Sequence, residues 1–160
     1  MERVDYTNSR GILTTKRADG TVRTDHLYRI SLKALIYNDA GQLLVTREHG
    51  LDWHLPGGGL DYGESIKEGL TRELHEEVGY EGKLTYEVIG ADLMWISNLD
   101  VYQLWLVAVV KPQNHDFSIG VDGGGVRFID PEELAQSDAR TSQLSYQFHE
   151  LAQKNRSKDA

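Results

Sequence analysis

Cysteine is absent from the 160-residue chain, which excludes disulfide bridges, thiolate metal sites and a cysteine nucleophile together. That absence suits a reducing compartment, and we read the protein as cytoplasmic. Long apolar runs are missing too. The longest, residues 104–110, is far too short to cross a bilayer, so no membrane partner is expected. The opening MERVDYTNSR carries no apolar core of signal-peptide length. Positive charge is scarce: 17 Lys and Arg stand against 25 Asp and Glu, a net charge of -8 with neutral histidines. Such a chain is a poor general binder of phosphate backbones, which argues against nucleic acid as a partner. A polyphosphate would have to be met by cations brought to one place, and that favours a metal site over a basic patch.

The composition is that of an ordinary globular domain, 39% apolar and 26% charged. Residues 1–25 are polar and slightly basic. Asp19-Gly20, between 12–17 and 21–24, predicts a small hairpin, an N-terminal arm ahead of a domain at 26–160. Such an arm would close over a site or join a homodimer interface. Tyr28, Ile30, Leu32, Ala34 and Ile36 alternate with mostly polar neighbours, as a half-buried strand does. Asn38-Asp39-Ala40-Gly41 reads as a turn, with a returning strand at 43–45. Residues 64–78 have helical spacing through Ile66, Leu70, Leu74 and Val78, and Gly79 stops them. Further strands are expected at 84–89, 101–110 and 126–129. Asp130-Pro131-Glu132-Glu133 opens a short helix, and Leu144, Phe148, Leu151 and Ala152 mark a last amphipathic one. The order predicts an α+β fold with a mixed sheet between helices.

The segment GGLDYGESIKEGLTRELHEEVGY, residues 58–80, carries the chemistry. At about 100° per residue, Glu73, Glu76 and Glu77 share one strip of the helix, bordered by its apolar arc. Glu73 and Glu77 repel across one turn, and Arg72 offsets only part of the charge. Clustered carboxylates without matching bases are what a hard divalent cation needs. A cation there would neutralise phosphate charge and lower the pKa of an attacking water. The glycines ahead of the helix allow close backbone approach and can supply a carbonyl ligand. Taken alone, Glu68, Glu73, Glu76 and Glu77 would more often be an ordinary solvated acidic face.

The full register changes that balance. The segment resembles the Nudix box, Gly-x5-Glu-x7-Arg-Glu-U-x-Glu-Glu-x-Gly-U with U bulky and aliphatic, through Gly58, Glu64, Arg72, Glu73, Leu74, Glu76, Glu77 and Gly79. Tyr80 departs from it at the last position. Seven fixed positions would match by chance on the order of 10⁻⁸ times per window. The resemblance implies a Nudix fold, an α/β/α sandwich around a mixed sheet. It implies Mg2+-dependent hydrolysis of a nucleoside diphosphate linked to another moiety, with Mn2+ as substitute. Glu76 and Glu77 then match the main metal ligands, and Glu73 matches the third acid, which binds metal or positions the water. Arg72 matches the arginine that orients a catalytic glutamate, and Glu64 the outer supporting acid. The carbonyl of Gly57 or Gly58 would complete the shell. A further acid outside the box is expected as ligand or general base: Asp122 is the candidate and Asp116 the alternative.

Other positions are weaker. Arg29, Arg47 and Lys33 lie on the leading strands, where they would meet substrate phosphates or stay solvated. Tyr62 lies in the box loop within reach of a substrate. Trp53 and Leu55 read as core rather than base-stacking. His49, His54 and His75 lack a paired ligand spacing, and magnesium prefers oxygen. The expected partner is a small nucleotide-like polyphosphate. A proline shortly after the box, a marker of family members that act on ADP-ribose, is missing. The rival readings are an inactive Nudix domain that senses a nucleotide, and an interaction module whose acidic helix is surface only.

Overall fold

The computed structural model describes residues 4–7, 12–48, 50–96 and 101–158. Strands β1 (Val4–Thr7), β2 (Ile12–Lys16) and β3 (Val22–His26) form an antiparallel sheet of their own. Asp19-Gly20 turns β2 into β3: the Asp19 carboxylate accepts from the Thr21 N–H and hydroxyl, and Gly20 takes φ 84°.

The central sheet is mixed, as expected. Strand β4 (Arg29–Leu35) runs parallel to β7 (Val101–Pro112), and β6 (Leu84–Ile96) lies antiparallel on the other edge of β7. Strand β5 (Leu43–Arg47) pairs with β8 (Gly125–Ile129). Helix α1 (Ile66–Val78) covers one face, burying Leu70, Leu74 and Val78 against Leu32, Ala34, Ile36 and Ala108. Helix α3 (Arg140–Lys158) covers the other, placing Leu144, Phe148 and Ala152 against Leu35, Val45, Trp105 and Val107. The short α2 (Glu132–Ala135) follows β8; its N-cap position is Pro131 rather than Asp130, whose carboxylate accepts from the Glu132 N–H at the start of the helix. Among the described residues, no helix is long and apolar enough to cross a membrane.

Two expectations are corrected. Strand β4 is not half-buried: Ser31, Lys33 and Leu35 are as buried as Leu32 and Ala34, because cover from both faces leaves no solvated side. Strand β6 continues well past residue 89. A bulge between Val88 and Gly90 shifts its register, and at Gly90 the missing side chain lets Phe148 and Leu151 of α3 pack close. The alternation that marks a strand is broken at that bulge, which hid its second half.

The site depends on how the two sheets are joined. Segment 54–60 runs between them. His54 exchanges both backbone hydrogen bonds with Thr46 of β5, at 3.0 Å each. Two residues on, the chain has crossed to β4: Ala34 donates to Pro56, Leu32 to Gly58, and Leu60 to Ile30, at 2.8–3.0 Å. Gly57 sits in the crossing. Its φ of 124° is open to glycine, and a side chain there would run into the Leu32 carbonyl.

Candidate active site

Helix α1 begins two residues later than the spacing suggested, because Ser65 caps it. The Ser65 hydroxyl accepts from the Glu68 N–H, and the Glu68 carboxylate accepts from the Ser65 N–H at 2.8 Å. Glu64, left outside, turns back to Arg72. Arg72 Nε donates to Glu64 Oε1 at 2.7 Å and Nη2 to Glu64 Oε2 at 2.9 Å. The same guanidinium reaches Glu73 at 2.7 Å, Glu76 at 3.2 Å and the Gly59 carbonyl at 2.9 Å. One arginine thus ties three carboxylates to the loop. Its hydrogen bonds, with that of the Asp61 N–H, hold Glu64 down at about 2.

Glu73, Glu76 and Glu77 do not fan out into solvent. Glu73 is only 8% exposed and lies against the Cα of Gly58. Glu77 is turned under the crossing, where its Oε2 accepts from the Gly57 N–H at 2.7 Å. Burial pushes the Glu77 carboxyl up to about 7, although nearby Lys33 and the Gly57 N–H pull the other way. The Lys33 ammonium is buried too. It donates to the Gly57 carbonyl and lies 5.1 Å from the centre of the Trp105 ring. Burial lowers its pKa, opposed by Glu77 first, then Glu73 and Glu48. The two candidate carbonyls have different partners. That of Gly58 accepts from Leu32 in the β4 pairing, whereas that of Gly57 is turned to the Lys33 ammonium beside Glu77.

The NUDIX domain profile matches residues 27–151, most of the chain. The chain belongs to the Nudix family. RNA pyrophosphohydrolases of Legionella pneumophila strains are 37% identical to it over 71 residues. That match takes in 44% of this chain and 40% of theirs, so the chain spans about two fifths of these relatives. Nucleoside triphosphatase NudI of Escherichia fergusonii is 29% identical over 117 residues, covering 65% of this chain and 83% of NudI. Among solved structures, a MutT protein from Methanosarcina mazei Go1 superposes with a TM-score of 0.66 at 23% identity, over 80% of this chain and 95% of that one. A UDP-X diphosphatase gives 0.65 at 18% identity, over 85% of this chain and 66% of that one. At such identities these superpositions establish the Nudix fold alone.

Tyr80, the departure from the Nudix box, is fully buried and satisfied. Its hydroxyl donates to the Lys83 carbonyl at 2.7 Å and accepts from the Gln113 N–H at 2.8 Å. The loop after β7 docks on the end of the box helix. The N–H groups of Ser118, Gly120 and Asp122 donate to the carbonyls of Val78, Glu77 and Glu76, at 3.0–3.1 Å. That brings Asp122, exposed, beside the backbone of Glu76, whereas Asp116 interacts locally, its N–H donating to Asn114. Arg29 packs over Gly59, next to the box loop. Arg47 lies over the Trp53 ring at 4.5 Å, and Arg127 lies over the same ring at 4.4 Å. Tyr62 stands wholly in solvent on its turn. Leu55 is core and Trp53 packs at its rim. His54 is half-buried and donates its Nδ1–H to the Leu55 carbonyl; desolvation, then Lys33, lower it to about 4. His75 is exposed, and His49 lies outside the described residues.

Sequence reasoning missed how central Lys33 is. Its neighbours, the Gly57 carbonyl and Glu77, lie 24 and 44 positions away, and no spacing rule connects them. The one available signal was a lysine flanked directly by Leu32 and Ala34 in a strand.

Proposed function

We propose that the protein hydrolyses the diphosphate linkage of a nucleoside triphosphate or nucleotide conjugate, with Mg2+ as cofactor and Mn2+ as substitute. The observation that carries this reading is the gathering of Glu73, Glu77 and the Gly57 carbonyl at the crossing between the two sheets. All are hard oxygen donors, and Glu76 supplies another from the next turn, so in kind they fit a hard divalent cation. Among the described residues, no three acidic or imidazole side chains already stand as a cage. The carboxylates are instead held by Arg72 and the Gly57 N–H, so cation binding requires a short side-chain rearrangement.

A bound cation there would neutralise phosphate charge and acidify a water. The chain's own residues do the rest. Arg72 fixes the direction of Glu73 and Glu76, and Gly57 orients Glu77. Asp122, carried to the end of α1, takes the proton of the attacking water as general base. Arg29 and Arg47 meet phosphate oxygens at the mouth. Tyr62 contacts only a substrate that extends beyond the loop.

The names of the sequence relatives, pyrophosphohydrolase and nucleoside triphosphatase, support a phosphate anhydride as the bond cleaved. A net charge of -8 favours a small nucleotide over RNA. We place the protein in the cytoplasm and assign the sheet β1–β3 to a homodimer contact, which sedimentation of the chain with and without residues 1–25 tests. The activity is tested with a panel of nucleoside triphosphates and diphosphate conjugates with Mg2+, products read by mass. At least one member is expected to turn over, and Glu76→Gln or Glu77→Gln to abolish it. Nucleotide binding with no turnover across the panel would replace the enzyme by a sensor.

A further inference from the structure

We propose that Lys33 is a built-in counter-cation of the box: its ammonium holds the Gly57 carbonyl in place of a divalent ion, and must give it up when one binds. This inference rests on the metal-dependent reading above.

The placement is unusual for a lysine. Lys33 lies within β4, between β7 on one side and segment 56–60 on the other, and is 7% exposed. Lysines are rarely so buried unless paired. Its nearest company is a carbonyl, an aromatic ring and acidic groups: Gly57, Trp105, Glu77 and Glu73. The charged and titratable groups facing it are thus Glu77 and Glu73 of α1, Glu48 beyond β5, and His54 of the crossing segment. Three of these four are acids. The ammonium therefore sits among the oxygen donors proposed for the metal, bonded directly to one of them.

A small divalent ion using the Gly57 carbonyl and Glu77 would enter the same space. Two cations on one carbonyl repel strongly at this depth, so the ammonium and the ion compete. Competition has a use. It keeps the free protein's affinity for the ion low, and a polyphosphate, which brings negative charge for both cations, would let them stay together. Lys33 is in this view a positioning residue. It acts through Gly57 and the box acids, and it couples cation binding to substrate.

The test is calorimetric titration of the chelator-stripped full chain with Mg2+ alone, at about pH 7.5, where ordinary carboxylates are charged. Wild type is expected to bind weakly, Glu77→Gln not at all, and Lys33→Met at least about tenfold more tightly than wild type. Lys33→Met keeps the length and apolar stem, and its chain neighbours Leu32 and Ala34 are apolar. A residue needed only for structure would give the opposite result, weaker binding on its removal. Wild-type or weaker affinity in a folded Lys33→Met overturns the proposal while leaving the metal reading intact. Absence of Mg2+ binding in both proteins overturns both. Should Lys33→Met fail to fold, the wild-type chain still decides. With its lysines labelled in nitrogen-15, the Lys33 ammonium signal is expected to shift on adding Mg2+, and an unmoved signal in a Mg2+-saturated protein overturns the proposal.

Discussion

Two glycine-rich loops meet the box helix, and they treat it differently. The loop at 57–59 meets its side chains: Gly57 holds the Glu77 carboxylate, Gly58 abuts Glu73, and Gly59 accepts from Arg72. The loop at 118–124 meets its backbone, giving N–H donors to the last carbonyls of α1, which a helix cannot satisfy itself. Both approaches need a missing side chain. One at Gly57 would strike the Leu32 carbonyl, and one at Gly120 would strike the Glu76 carbonyl. Only Gly57 also takes a positive φ. The first loop therefore arranges charge, while the second anchors the helix end and delivers Asp122.

The largest expected effect follows from breaking the first loop's charge arrangement. Glu77→Gln should retain the fold, since its amide oxygen still accepts from Gly57. It should lose more activity than the roughly 10–100-fold typical of an outer-shell partner. Steady-state rates beside circular dichroism check this. Next comes the second loop's contribution. Asp122→Asn should lower kcat on the order of 10²-fold with KM little changed, as expected for a proton acceptor. An unchanged kcat would leave this loop a support only.

The two glycines sharpen the comparison through stability. Gly57→Ala combines a backbone collision with an unfavourable φ and should cost about 2–3 kcal/mol. Gly120→Ala meets a collision only, and about 1–2 kcal/mol is expected. Denaturant midpoints at constant slope give both values. Equal losses would mean that the positive φ carries no weight.

The smallest effect is in pH. Glu77 is raised from 4.5 to about 7, so its folded form holds the proton more strongly than the unfolded chain. Its contribution in chelator-treated protein is full below about 4.5 and is lost as pH rises towards 7. His54 is lowered from 6.5 to about 4, so its contribution is present above 6.5 and lost as pH falls towards 4. The two slopes oppose each other in one window and largely cancel in the wild type. Thermal scans of Glu77→Gln and His54→Gln against wild type should show deviations of opposite sign.

Local sequence settled much of the box. A helix of known pitch places Glu73, Glu76 and Glu77 on one strip, sets Arg72 one turn from Glu76, and ends at a glycine. These relations span only a few residues, and helical geometry fixes them before anything packs. The Asp19-Gly20 turn was legible for the same reason. Tertiary structure alone decided what the two glycine carbonyls meet: that of Gly58 accepts from Leu32 of β4, and that of Gly57 accepts from the buried Lys33. It also buried Lys33 and Ser31 on a strand that looked one-sided, and it carried Asp122 to the helix end. Each of these rests on partners tens of residues apart, and strand pairing and two-sided burial are properties of the assembled layers that no short stretch of chain encodes.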